Sequence, residues 1–325
     1  MNWVETRKKL RHLASRSAQL RVQGPLRPIE TMEEVREAGT QAPKPGEGRV
    51  EERPGCGVRA ASLCVASGKG GTGKTVTCAS LAHLFAPRGR TLIVDADLGV
   101  GNAHILQGVS PERTLADVVE GDFALADALV HCDEGIDLLG AGSGIPSMAE
   151  LSEYELQLLA VGLEEAELDY RFVLVDAAAG VSRQTITFAE ACDLTLIVTT
   201  PDLTAMTDAY AFLKVLMART RRQPLLLVNR ARDAEEACEV TERILSVCER
   251  FLGETPLSVG WVPEDPAVRE CVNQRGAPSR LMPGAPSSRA LAQRAVEILS
   301  QLEMHRPGGF GRRLVEDLGT LRRLA

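Results

Sequence analysis

The central part of this chain alternates short apolar runs with longer amphipathic stretches. The runs are rich in Leu, Val and Ile and have the length of buried strands. They occupy residues 62–67, 91–95, 136–142, 172–178, 194–200, 224–229 and 256–262. Amphipathic stretches separate them, among them residues 150–166, 203–219 and 233–251. This alternation predicts an α/β fold with a mostly parallel sheet sandwiched between helices.

The two ends of the chain differ from this regular part. Residues 1–60 form a leader whose first 22 residues are basic, with a Pro- and Gly-rich linker at residues 41–57. The leader is predicted to be a helix followed by a flexible connection, because Trp3, Leu10, Leu13 and Leu20 recur at helical spacing. Residues 61–303 are predicted to form a single core domain.

Residues 307–325 are predicted to form a separate amphipathic helix. Its apolar positions fall on one helical face, and they are Phe310, Leu314, Leu318, Leu321 and Ala325. Arginines flank this face, as in helices that lie on an anionic membrane surface. The same pattern also fits a terminal helix that packs on its own domain, so both interpretations stay open.

Composition excludes several classes of protein. The 325 residues carry a formal net charge of −7, which disfavours a dedicated nucleic-acid binder. The eight cysteines form no CxxC pair, so a zinc or iron–sulfur site is not expected. The N-terminus lacks the apolar segment of a secretory signal, and no apolar run approaches the about 20 residues of a membrane span. We therefore expect a cytoplasmic protein.

The sequence SGKGGTGKT follows the first apolar run and matches the phosphate-binding pattern G-x-x-x-x-G-K-[ST]. Its glycines let backbone N–H groups surround phosphates at the start of a helix. Lys74 is expected to reach the β- and γ-phosphates, and Thr75 to bind Mg²⁺. ATP and Mg²⁺ are the predicted cofactors. The predicted nucleotide contacts are Gly68, Gly70, Gly71, Thr72, Gly73, Lys74, Thr75 and Val76.

A second lysine, Lys69, lies inside this loop, and the segment KGGTGKT resembles the deviant Walker A loop of the ParA/MinD superfamily. The resemblance implies a P-loop NTPase fold and a slow ATPase that forms a homodimer on ATP. It also implies that Lys69 is a catalytic residue that crosses the dimer interface. A cation supplied by the second subunit neutralises the charge that develops during phosphoryl transfer. The alternative is a solvated surface lysine.

Three aspartates end predicted strands at the edge where α/β sheets bind ligands. Asp95 and Asp97 lie two residues apart, and Asp176 ends the run FVLVD. The resemblance implies that Asp97 orients the attacking water, that Asp95 supports Mg²⁺ and that Asp176 holds Mg²⁺ through water. For Asp95 and Asp97 an Asx-rich turn is the alternative. Ala177 and Ala178 depart from the usual D-T-G/P-A-G text of the superfamily.

Adenine contacts are expected later in the chain. Asn229 ends a predicted strand, and its amide can pair with the adenine edge through both a donor and an acceptor. The segment GWVPEDPAV, residues 260–268, resembles the superfamily loop that covers adenine. The resemblance places Pro263 and Glu264 nearest to the base.

Several longer stretches resemble the FlhG (FleN) group of this superfamily, most clearly residues 95–122, 148–155 and 198–216. That group implies control of flagellar number and placement. It also implies an FlhF-like GTPase, flagellar C-ring components or a transcription activator as partners, and association with the inner face of the cell membrane through residues 307–325. The group's motif DQAxxLR has its nearest match in SRSAQLR, residues 15–21, which differs at Ser15 and Arg16.

Two other functions remain open within the superfamily. One is a MinD-like regulator of the cell-division site, because relatives of that type share much of the same text. The other is a ParA-type DNA-partitioning ATPase, for which residues 219–223, RTRRQ, form the one compact basic segment of the core. The net charge of −7 makes this second function the weaker hypothesis.

Overall fold

An eight-stranded sheet lies at the centre of the fold in the computed structural model. The structure describes residues 59–99, 101–120, 123–133, 135–142, 151–305 and 307–324, with the side chains of 318–324 left out. The predictions for the leader helix, the linker and the SRSAQLR segment fall outside these residues. The strands are β1 Ala61–Ser67, β2 Thr91–Ala96, β3 Leu129–Asp133, β4 Ile136–Leu139, β5 Phe172–Ala179, β6 Leu194–Thr199, β7 Leu225–Ala231 and β8 Leu257–Pro263.

The sheet order is β3-β4-β2-β5-β1-β6-β7-β8. All neighbours run parallel except β3 and β4, which pair antiparallel. The predicted mostly parallel sheet is therefore confirmed, and it requires helical crossovers that cover both faces. The four central strands β2, β5, β1 and β6 are almost wholly buried. These strands are apolar along almost their whole length because helices cover both faces of the sheet.

Two details of the strand prediction were wrong. The strand expected over 136–142 ends at Leu139, because Gly140 and Gly142 supply no side chain to pack and Gly142 has a positive φ of 86°. The edge strand β3 was missed, since its residues are only partly buried and carry no long apolar run. Gly135, with a φ of 75° directly before β4, is the turn signal that could have found it.

The helices of the described residues cover both faces of the sheet. They are α1 Lys74–Phe85, α2 Ala103–Leu106, α3 Leu115–Glu120, α4 Glu153–Ala166, α5 Arg183–Ala191, α6 Leu203–Met217, α7 Ala234–Leu252, α8 Pro266–Asn273, α9 Pro278–Leu281, α10 Pro286–Met304 and α11 Phe310–Leu324. Helices α1 and α10 share one buried apolar cluster, while α3 to α7 and α11 share the other. The phosphate loop leads directly into α1. The candidate site therefore lies at the edge of the apolar cluster that α1 and α10 share.

Helix α11 packs on the domain along the part whose side chains are described. Phe310, Leu314 and Val315 are buried, and the rings of Phe310 and Phe188 lie 6.1 Å apart. Helices α4 and α5 receive this face. The first turns of the amphipathic helix thus bury their apolar face within the protein. The remaining predicted apolar positions, Leu318, Leu321 and Ala325, lie outside the described side chains.

Asp137 ties the antiparallel edge to the rest of the sheet. Its carboxylate accepts hydrogen bonds from Arg90 at 2.8 Å and from the Tyr170 hydroxyl at 2.7 Å, and His131 Nδ1 lies 2.9 Å away. Burial alone raises the pKa of Asp137, but these hydrogen bonds and the charge of Arg90 outweigh it and hold the pKa below its usual 3.8. The ionised form therefore stabilises the folded state.

We predict that Asp137→Asn lowers the free energy of unfolding by about 1–3 kcal/mol at pH 7, because a buried charge-assisted network loses its acceptor. The folded-state pKa is the lower one. The stabilisation is thus fully present above pH 3.8 and is lost as the pH falls through the folded-state pKa. Urea unfolding from pH 7 to pH 3 measures this difference. Glu254→Gln, at an exposed carboxylate, is the control, and a wild-type-to-variant gap that widens in acid would contradict the prediction.

Candidate nucleotide-binding site

The phosphate loop connects β1 to α1 and depends on glycine at close contacts. Gly71 and Gly73 have positive φ values of 82° and 89°, which favour residues without a side chain. A Cβ atom at Gly73 would collide with the Asn229 amide, and one at Gly68 with the backbone of Asp208 in α6. The loop is therefore held between β7 and the first turns of α6, as a preformed cradle for phosphate.

Lys74 and Asp176 form a buried ion pair below the loop, with 3.0 Å between Nζ and Oδ1. Burial lowers the pKa of Lys74, but the attraction of Asp176, Asp97 and Asp95 outweighs it and the pKa is raised. The lysine is thus fully charged at neutral pH. A charged ammonium that is held by one carboxylate beside two others is ready to bind a polyanion.

Asp95 organises the loop that follows β2. It is 0% exposed, and its two oxygens accept backbone N–H bonds from Asp97 at 3.2 Å and from Ala103 at 3.0 Å. Burial, followed by the charge of Asp176, raises the pKa of Asp95 to about 7. Asp95 and Asp176 are register partners on adjacent strands. Asp95 thus forms an Asx turn with Asp97, and its support of Mg²⁺ stays a prediction.

The residues fit a magnesium ion that arrives with a nucleotide. The second oxygen of Asp176 is buried without a hydrogen-bond partner. Burial raises the pKa of Asp176, and the charge of Lys74 and a hydrogen bond from Thr75 oppose this rise. Among the described residues, no three His, Cys, Asp or Glu side chains are placed to hold a metal ion by themselves. Mg²⁺ commonly completes its coordination with phosphate oxygens and waters. The donor set therefore suits a metal–phosphate complex.

Lys69 is exposed and is bound to α6. Its Nζ donates to Thr204 Oγ1 at 2.7 Å, and its carbonyl accepts from Ser67 Oγ at 2.9 Å. The neighbouring Leu203 is 72% exposed. The two lysines of the loop thus differ in environment, since Lys74 is buried among carboxylates while Lys69 lies at the surface.

A cavity of about 520 Å³ extends from the loop towards β8 and has the size of a small-ligand site. Its lining includes Gly71, Gly73, Val76, Asn229, Pro263 and Glu264, all of which the sequence had singled out. The amide nitrogen of Asn229 donates to the Thr72 carbonyl at 2.7 Å. The sequence predicts that both halves of this amide face adenine. The bond to Thr72 occupies one N–H of the amide and leaves its oxygen to accept from a base.

Sequence reasoning missed other residues that line the cavity. Arg230 has a positive φ of 60°, rare outside glycine, and its guanidinium lies 3.0 Å from Glu264. Asp265 caps α8 and also accepts from the N–H and hydroxyl of Ser287, at 3.0 and 2.8 Å. These contacts hold the β8 loop against α10. In the sequence, only the position of Arg230 directly after Asn229 indicated that it lines the cavity.

Residues 63–278 match the model of the CobQ/CobB/MinD/ParA nucleotide binding domain. The chain belongs to this family. It is 34% identical to the antiactivator FleN of Pseudomonas aeruginosa over 241 residues, which cover 71% of this chain and 85% of FleN. It is 27% identical to the flagellum site-determining protein YlxH of Helicobacter pylori, covering 74% of this chain and 82% of YlxH.

Solved structures of the family share the fold. The MinD protein of Pyrococcus horikoshii, solved with Mg-ADP, is 25% identical with a TM-score of 0.63, covering 74% of this chain and 96% of MinD. The cell division ATPase MinD of Pyrococcus furiosus gives 24% identity and a TM-score of 0.63, covering 74% and 99% of the two chains. This member of the family is an ATPase with the P-loop NTPase fold, as the loop predicted.

We predict that Asn229→Ala weakens ATP binding about three- to tenfold, the effect of one lost hydrogen bond. The preference for ATP over GTP should also fall, because the amide oxygen accepts from the adenine amino group and opposes the guanine carbonyl. Equilibrium titration with both nucleotides measures the two effects. Asn273→Ala, at an exposed position in α8, is the matched control. Unchanged ATP and GTP affinities in Asn229→Ala would contradict the assignment.

Proposed function

We propose that this ATPase is a dimeric switch that regulates flagellar number and placement. The two flagellar relatives support the process, since one is an antiactivator and the other determines the flagellar site. The observation that carries the dimeric mechanism is the environment of Lys69. Its ammonium lies at the surface on Thr204, whereas Lys74 already occupies the buried charge cluster of the same loop.

The positions of the described side chains suggest a separate role for each of them in binding and hydrolysing ATP. Phosphate draws Lys74 from Asp176, and the loop N–H groups bind the phosphate oxygens. Thr75 and Asp176 would hold Mg²⁺, the latter through water, and Asp95 would support the ion while it fixes the loop that carries Asp97. Mg²⁺ held there would neutralise charge on the phosphates. Asp97, which is partly exposed, then orients the attacking water.

Lys69 completes the site of a second subunit in this proposal. A cation that arrives only with the partner makes hydrolysis depend on dimerisation, as an arginine finger does. Hydrolysis is therefore slow in the monomer, and the ATP-bound dimer has a defined lifetime. That lifetime makes the protein a switch.

The trans role of Lys69 predicts complementation between two inactive variants. Lys69→Ala should reduce turnover about 10²-fold or more, because a preorganised charge is lost from the transition state. Asp97→Ala should still bind ATP and dimerise, but it should hydrolyse ATP slowly because no group orients the attacking water. An equimolar mixture should recover about a quarter of the wild-type rate, since half of randomly formed two-fold dimers are mixed and each carries one competent site. Steady-state phosphate release measures this recovery.

Lys214→Ala is the control for removal of an exposed lysine, here from α6. Alone it should hydrolyse ATP at the wild-type rate, and mixed in equal amounts with the Asp97→Ala variant it should give about half of that rate, because half of all sites stay competent. A Lys69→Ala variant with wild-type turnover, or a mixture no more active than its components, would show that Lys69 does not act across a dimer.

The partners that fit this function are an FlhF-like GTPase, flagellar C-ring components or a transcription activator, together with an anionic membrane surface. No helix among the described residues is long and apolar enough to cross a membrane. Membrane contact would therefore be peripheral, through residues 307–325. Because Phe310 and Leu314 are buried, this contact requires α11 to leave its groove or to use only its later turns.

Membrane binding through α11 predicts a dependence on nucleotide. The full chain should pellet with anionic vesicles more strongly in ATP than in ADP, and a chain that ends at Pro307 should remain in the supernatant. Co-sedimentation measures both, and vesicles of neutral lipid are the control. Equal pelleting of the two chains would remove α11 from the membrane proposal.

DNA partitioning receives less support from the structure. Of the arginines at 219–223, Arg219 lies 4.0 Å from the Glu190 carboxylate and Arg222 donates to the Glu190 carbonyl at 3.4 Å. These contacts reduce the charge that this segment can offer to phosphates. A MinD-like role at the division site shares the same ATPase cycle and differs in the partner.

A further inference from the structure

The buried carboxylate of Glu167 joins Arg59, just before β1, to the C-terminal helix α11. Arg59, two residues before β1, donates to Oε1 at 2.7 Å. The backbone N–H of Gly311, in the first turn of α11, donates to Oε2 at 3.1 Å. Glu167 itself is 1% exposed. Two segments about 250 residues apart in sequence thus share the two oxygens of one side chain that lies just after α4.

The first turn of α11 packs closely against Arg59, Glu167 and the backbone of α4. Gly309 has a φ of 81°, and a Cβ atom there would collide with Arg59 and Glu167. A Cβ atom at Gly311 would collide with the backbone of Glu164. Arg59 also reaches the Glu164 carboxylate at 3.2 Å. The first turn of α11 therefore fits closely in its groove because glycine occupies these two positions, and Arg59 lies between the two glutamates.

The energetics make the two contacts depend on each other. Burial raises the pKa of Glu167, and the N–H of Gly311 together with Arg59 opposes this rise. A buried carboxylate that loses one of two charge-stabilising partners is left poorly compensated. Without Arg59, the buried charge of Glu167 is relieved by protonation or by turning the side chain towards water, and either change weakens its bond to the Gly311 N–H. The position of Arg59 and the docking of α11 are therefore cooperative.

A second anchor holds the same helix from another side. Arg313 lies 2.8 Å from Asp193 and donates to the Ala191 carbonyl at 2.6 Å, while the Gly308 N–H donates to Asp193 at 3.0 Å. This anchor keeps α11 near its groove when the Glu167 link is broken. The change is therefore a loosening of the helix that can be measured in a folded protein.

We propose that Glu167 is a link that couples the position of Arg59 to the docking of α11. Withdrawal of Arg59 loosens the helix, and undocking of the helix loosens Arg59. The link involves neither nucleotide nor a second subunit, so it is tested independently of the ATPase cycle.

Hydrogen exchange of the full chain without nucleotide tests the first direction. Arg59→Ala should speed exchange of the amides of 310–315 by about tenfold, as expected for contacts coupled within one network. Glu164→Gln, which removes the other carboxylate of Arg59 and leaves Glu167 intact, should change it much less. The amides of β5 serve as the reference for global unfolding. Unchanged exchange in Arg59→Ala, or equal effects of both variants, overturns the proposal.

The reciprocal direction uses Leu314→Ala, which weakens α11 docking without touching Glu167 or Arg59. Thermodynamic coupling must act equally in both directions. The amides of Ala60 and Ala61 should therefore exchange faster in this variant, while those of β5 keep their rates. Exchange that rises only within α11 would show that the helix and Arg59 bind Glu167 independently, and the proposal would fall.

Discussion

The arrangement that the rest of the site depends on is the buried charge cluster at the ends of β2 and β5. Lys74 is the cation that offsets the adjacent Asp176 and Asp95 in a place where little water reaches them. Parallel strands force this arrangement, because their carboxyl ends share one edge of the sheet. Such a cluster is compact but incompletely compensated. The cluster holds more carboxylates than cations, and a Mg²⁺ ion that arrives with a nucleotide would supply the missing positive charge.

The loops next to the charge cluster are held by backbone hydrogen bonds. The segments around the cluster are bonded to its members, with the loop after β2 held by Asp95 and the start of the β5 loop held by the Gly180 N–H on Ser67. A ligand that changes the partners of Asp95 or Asp176 must therefore shift these segments. Lys69, the lysine that we propose to cross the dimer interface, is attached to the adjoining helix through Thr204.

On the opposite side of the fold, Glu167 has a similar role with other partners. Both sites use a buried carboxylate that cannot be left without a donor, and in both the donors come from segments that are distant in sequence. The difference lies in the partner. At the nucleotide site the carboxylate's cation also meets an incoming polyanion. At Glu167 both donors, Arg59 and the Gly311 N–H, belong to the protein chain.

The sequence by itself determined the fold class, the phosphate loop and the residues beside it. Apolar run length and the order of the G-x-x-x-x-G-K-[ST] loop are local properties that survive without tertiary context. It did not find β3, which is stabilised by pairing with β4, or Arg230, which becomes relevant only through its backbone angle. It also left both interpretations of α11 open. Only the tertiary structure showed that Asn229 is turned by Thr72 and that Phe310 is buried, because both depend on residues more than 100 positions away.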